Sequence, residues 1–237
     1  MTVRAMILAA GRGERLRPLT DSIPKPLLQV GRHRLIEWHL LALARAGITE
    51  VVVNTAWLEE QFPAALGDGS RYGVRIVWSH EGASYGKALE TAGGIRKALD
   101  LLDEVFWVVS ADVFLPGFRF QAGEGERLLE SPALAHLWMV PNPPHHHAGD
   151  FPLSPDGMND ASKVETWTWA SVGLFKAAMF RPLVAGQVAP LRPLLDSALA
   201  EGRLQRTPLA AGWVDVGTAD RLRIARSWAD AGRNAPC

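Results

Sequence analysis

Apolar residues along this chain fall into short runs separated by stretches of helical spacing. Residues 3–10 form the first run, the size of a strand buried on both faces. Gly11-Arg12-Gly13 ends it. Over residues 35–46, Leu35, Trp38, His39, Leu41 and Ala42 recur at helical spacing, and Gly47 supplies the stop. The β-branched residues 50–54 predict a second buried strand, and 57–66 a helix. After a loop at 67–70, strands are expected at 74–79 and 105–110, with a helix at 90–99 between them despite Gly93-Gly94. Strands alternating with helices of this length predict an α/β fold, a doubly wound, mainly parallel sheet.

The rhythm changes in the second half. Residues 133–140 and 166–176 predict strands, and the Pro-, Gly-, Asp- and His-rich stretch 141–163 between them predicts a long loop of the kind that usually carries function. A helix at 190–201, a strand at 204–209 and a final helix at 219–231 complete the pattern. There is no repeat or linker, so one domain over residues 1–237 is expected.

Composition narrows the classes. The 237 residues carry 25 Lys+Arg against 25 Asp+Glu. That balance excludes affinity based on coating nucleic acid or an anionic membrane. The single cysteine, Cys237, excludes a disulfide framework and a cysteine zinc site. No apolar run reaches the roughly 20 residues that cross a bilayer. The opening run is too quickly broken to be a secretory signal, so a cytoplasmic protein is expected.

The chemistry concentrates after the first strand. In open α/β sheets ligands bind at the carboxyl ends of strands. Gly11 and Gly13 let backbone N–H groups approach phosphate oxygens. Arg15 offers a planar fork for phosphate, and Lys25, stiffened between Pro24 and Pro26, a point charge. Leu16 stands where a dinucleotide fingerprint needs its third glycine, which disfavours a dinucleotide-dependent oxidoreductase. His145-His146-His147 is a substrate-side loop or solvated turn, since adjacent histidines seldom converge on one ion. Glu59-Glu60 and the set Arg221, Arg223, Arg226 read as solvated helix faces.

The string Leu8-Ala9-Ala10-Gly11-x-Gly13-x-Arg15-x-x-Pro18-x-Thr20, with Pro24-Lys25-Pro26-Leu27, resembles the signature of the sugar-1-phosphate nucleotidylyltransferases. The resemblance continues through Asn54-Thr55-Ala56-Trp57-Leu58, Leu89-Glu90-Thr91-Ala92-Gly93-Gly94, Asp112, Asn142-Pro143-x-His145-His146, Gly149-Asp150-Phe151 and Trp213-Val214-Asp215-Val216-Gly217-Thr218. Within the family it is most similar to short bacterial members that act on N-acetylmuramate 1-phosphate in peptidoglycan recycling. The resemblance implies a single domain without the C-terminal extension of longer relatives.

The resemblance implies a Rossmann-like mixed sheet, mainly parallel, and a reaction between a nucleoside triphosphate, UTP favoured, and a sugar 1-phosphate. Mannose- or heptose-1-phosphate guanylyltransferase is the alternative within the class, and a non-catalytic nucleotide-sugar sensor the alternative outside it. Arg15 and Lys25 are the implied catalytic cations. Gly11, Arg12, Gly13, Glu14, Glu81, Gly82 and Ser110 are implied around the nucleotide, with Glu81 a hydrogen-bond acceptor for uracil or guanine. Asp150, Glu165, Gly173 and Asp215 are implied on the sugar side. Asp112 and Asp215, about 100 residues apart, are the implied ligands of Mg²⁺, and they meet only if the fold brings two strand ends together. Ser110-Ala111-Asp112 departs from the Asn-Gly-Asp common in relatives.

Overall fold

The computed structural model describes residues 3–153 and 165–232. Twelve strands are described: β1 (Ala5–Leu8), β2 (Gln29–Val30), β3 (His33–Arg34), β4 (Glu50–Thr55), β5 (Arg75–His80), β6 (Val105–Ser110), β7 (Val113–Phe114), β8 (Ala135–Val140), β9 (Phe151–Leu153), β10 (Glu165–Lys176), β11 (Leu204–Pro208) and β12 (Val214–Asp215). The helices are α1 (Leu19–Ser22), α2 (Leu35–Arg45), α3 (Gln61–Leu66), α4 (Gly82–Tyr85), α5 (Glu90–Ala98), α6 (Gly123–Glu130), α7 (Arg192–Ala200) and α8 (Ala219–Asp230).

The main sheet has the order β11-β8-β10-β6-β1-β4-β5, with β9 on β10. β6, β1, β4 and β5 run parallel, and β10 runs antiparallel to both β6 and β8. The sheet is therefore mixed and doubly wound, as expected.

Alternation along each strand sends neighbouring side chains to opposite faces. Val105, Trp107 and Val109 of β6 join Ala5, Ile7, Val51 and Val53 on one face, under Ile36, Leu40 and Leu43 of α2 and Phe62 of α3. Phe106 and Val108 join Met6 and Val52 on the other, under Ala92 and Ile95 of α5 and Leu195 of α7. A third cluster packs Leu222 and Ala225 of α8 on Leu16, Val30, Phe114 and Val216. This cluster seats α8 beside the opening turn.

Three expectations differ in detail. The helix expected over 57–66 starts only at Gln61, and Leu58 takes a left-handed φ of 47°. α6 escaped the periodicity because only Gly125 and Leu128 of it are buried. The 141–163 loop contains β9, which pairs with the start of β10, and its residues 154–163 lie outside the described residues.

Candidate active site

A cavity of about 500 Å³ opens where β1, β4 and β6 end. Its wall includes Ala9, Gly11, Gly13, Glu14, Arg15, Lys25, Asn54, Ser110, Asp112 and Gly217. The opening turn is pinned by Thr20, whose hydroxyl donates to the Gly13 carbonyl at 2.9 Å. Gly13 adopts φ 70°, which a side chain would strain. Lys25 sits in a tight turn between its two prolines and is buried to 6% exposure. Its Nζ donates to Asp112 Oδ2 at 2.9 Å, while the Asp112 side chain stays 43% exposed toward the cavity. A buried ammonium is thus held against a half-open carboxylate on the wall of the cavity.

The two far-apart aspartates lie on paired segments of chain, and of the two only Asp112 lines the cavity. β7 and β12 form an antiparallel pair that sets Asp215 opposite Val113. The Val216 N–H donates to the Asp112 carbonyl at 2.8 Å. Asp215 Oδ2 lies 3.1 Å from Arg221 Nη2, and its Oδ1 lies 3.1 Å from His145 Nε2. That Oδ1 is buried without an aligned hydrogen bond. Carboxylates supply the oxygen donors that suit a hard divalent cation, and such an ion takes its remaining ligands from phosphates and water. Asp112 lines the cavity and Asp215 stands beside its wall, so the chemistry of this donor pair, though not a shared position in the cavity, suits Mg²⁺. Among the described residues no group of three or more His, Cys, Asp or Glu side chains makes a self-sufficient metal cage.

Other expected site residues are placed elsewhere. Glu81 does not line the cavity. It is fully buried, accepting from Asn54 Nδ2 and from the Leu89 N–H, each at 2.7 Å. Burial pushes its carboxyl above the usual range. Gly82 serves close packing on Ala56 and Glu59, and its N–H donates to Glu59 Oε2 at 3.2 Å. Arg12 stacks its guanidinium 4.4 Å over the Trp57 ring. Asp150 spends one oxygen on His146 Nε2 at 3.1 Å and the other on the Trp169 N–H at 2.9 Å. Glu165 is the exposed first residue of β10, and Gly173 is buried in that strand between Val108 and Leu137. None of these six lines the cavity.

Sequence reasoning missed Asn54 and Arg221. Asn54 lines the cavity and accepts from the Ala9 N–H at 2.9 Å through Oδ1. Arg221, read as a solvated face, is only 13% exposed against Asp215. The available signal was its place in the first turn of α8, where a cation opposes the helix dipole unless an anion holds it.

A family model described as nucleotidyl transferase matches residues 4–122. The chain is 46% identical to N-acetylmuramate alpha-1-phosphate uridylyltransferase of Neisseria meningitidis serogroup B, over 97% of this chain and 99% of that one. The chain belongs to the nucleotidyl transferase family. A second uridylyltransferase of that description, from Caulobacter vibrioides, is 33% identical over 90% of this chain and 91% of its own. A solved UDP-glucose pyrophosphorylase from Acinetobacter baumanii superposes with a TM-score of 0.72 at 14% identity, covering 95% of this chain and 92% of its own. That likeness shows the shared nucleotidyltransferase fold. The match over the opening turn and β6 covers Gly11, Gly13, Arg15, Lys25 and Asp112.

Proposed function

We propose that this enzyme joins UTP to a sugar 1-phosphate, N-acetylmuramate 1-phosphate above all, giving a UDP-sugar and pyrophosphate. A sugar-phosphate oxygen bonds to the α-phosphorus, and the bond from that phosphorus to the oxygen bridging to the β-phosphate breaks. The attacking phosphate is already an anion, so the reaction needs positioning and charge neutralisation more than a base. The observation that carries the reading is the buried Lys25 ammonium paired to the half-open Asp112 carboxylate on a wall shared with Arg15 and the glycine turn. Lys25 and Arg15 supply the charge that offsets the growing negative charge at phosphorus. Gly11 has no atom within 4 Å of where its Cβ would stand, so its backbone meets the triphosphate unobstructed. Asp112 and Asp215 would hold Mg²⁺, which supplies further neutralisation of the triphosphate oxygens when bound. The choice of UTP and of the sugar is supported by likeness to the two uridylyltransferases. With that substrate, the reaction would belong to recycling of cell-wall sugars in the cytoplasm.

The test is a matrix of four triphosphates against N-acetylmuramate, glucose, mannose and heptose 1-phosphates, read by pyrophosphate release with and without Mg²⁺. UTP with N-acetylmuramate 1-phosphate is expected to dominate. A preference for GTP with mannose 1-phosphate would replace this reading by guanylyl transfer, and triphosphate binding without turnover would make the protein a sensor. Lys25→Ala is expected to lower kcat about 100-fold or more, in line with loss of a charge-stabilising group. Unchanged kinetics would remove Lys25 from the chemistry.

A further inference from the structure

Arg221 stands out among the charged side chains outside the expected site. Its Nε and Nη2 are buried and have no aligned hydrogen-bond partner. Leaving such donors unsatisfied is costly, so the surroundings must hold the guanidinium there. Two contacts do so. Nη2 lies 3.1 Å from Asp215 Oδ2. The same nitrogen also fills the space over Gly217, a residue of the cavity wall, where a Cβ would overlap it. That Cβ would also stand 3.0 Å from Arg15 Nη2. Two guanidinium groups therefore converge over one glycine, one facing the cavity and one behind it. Two cations this close repel unless anions stand beside them. Asp215 is the anion on the inner side, and a phosphate in the cavity would be the anion on the outer side.

We infer that Arg221 is a positioning residue of this site: it fixes Asp215 from behind and, through the bare backbone of Gly217, sets where Arg15 meets phosphate. The inference rests on the nucleotidyl-transfer reading above and adds to it a residue that does not touch substrate. It also gives a reason for glycine at 217. A positively charged wedge needs that volume, and a methyl group there would expel it.

The experiment combines Arg221→Gln, Arg221→Lys, Gly217→Ala and the double variant Arg221→Gln/Gly217→Ala in the full-length enzyme. Removing the guanidinium, or displacing it, should cause the same defect. In Arg221→Gln and in Gly217→Ala, kcat is expected to fall at least tenfold, while the Kd for UTP, measured by calorimetry without sugar phosphate, stays within threefold. Arg221→Lys, which keeps the charge but loses the fork, should fall between. The double variant should be no worse than Arg221→Gln, because the methyl group then enters vacated space. Urea midpoints give a readout independent of turnover: Gly217→Ala should destabilise the wild-type background and leave the Arg221→Gln background unchanged.

Additive effects in the double variant, wild-type kcat in Arg221→Gln, or a loss of UTP affinity as large as the loss of kcat would each overturn the inference. A wild-type enzyme inert with every sugar phosphate would instead overturn the nucleotidyl-transfer reading. The urea cycle would then decide the placement of Arg221, and additive midpoints would overturn it.

Discussion

Glu81 shows how one side chain connects two parts of a pocket without entering it. The Ala9 N–H donates to Asn54 Oδ1, Asn54 Nδ2 donates to Glu81 Oε1, and the Leu89 N–H donates to Glu81 Oε2. The chain of bonds runs from the end of β1 to the start of α5, across the wall of the cavity. A Cβ at Gly94 would stand 2.6 Å from Glu81 Oε1 and 2.8 Å from Asn54 Nδ2, which explains a glycine inside a helix. Glu81→Gln turns one acceptor into a donor and leaves a buried group unpaired, at a cost of about 1–3 kcal/mol. Asn54→Asp/Glu81→Gln reverses the polarity of the middle bond and restores all three. Urea unfolding should show the single variant destabilised and the double variant within about 1 kcal/mol of wild type. A double variant as unstable as the sum of the singles would disprove the relay. The sequence placed Glu81 after the third strand correctly, but the direction of its side chain depended on Asn54, 27 residues away, and local pattern carries no such information.

At the scale of elements, strands were the most legible feature. β6 coincides with its expected span because burial on both faces leaves a continuous apolar run bounded by Ser110. β7 and β12, two residues each, are too short for periodicity to reveal, yet their pairing sets the chain around Asp112 beside the chain around Asp215. That two segments about 100 residues apart adjoin was expected only from family resemblance. α2 braces this corner through His39, whose Nε2 donates to the Val113 carbonyl at 2.9 Å. Burial pushes that imidazole down from 6.5 to about 4. The unfolded chain therefore takes up a proton near pH 6.5 and the folded chain only near pH 4. The stability His39 confers is fully present above pH 6.5 and is lost as pH falls toward 4, by about 3 kcal/mol in all. His39→Gln keeps a donor for Val113 and cannot titrate. Measured by urea midpoint, the wild type should lose stability faster than His39→Gln between pH 6.5 and 4. Parallel pH profiles would show that the ring is not buried neutral.

At the scale of the whole molecule, the cavity draws its wall from both ends of the chain. The opening turn supplies Arg15 and Lys25, β6 supplies Ser110, and the approach to α8 supplies Gly217. The third apolar cluster, packing α8 on Leu16 and Val30, is what keeps these distant segments in register. A ligand that bridges them binds only the folded state and so must stabilise the entire fold. With UTP and Mg²⁺ at 100 times Kd the gain is about 2.7 kcal/mol. For a chain of this size that raises Tm by about 5–10 °C. Lys25→Ala should show a much smaller shift from its own ligand-free Tm at the same UTP concentration, because Lys25 belongs to the wall of the cavity proposed to hold the triphosphate. Equal shifts in the two proteins would place the triphosphate away from this cavity, since a site elsewhere would leave the Lys25 contribution untouched.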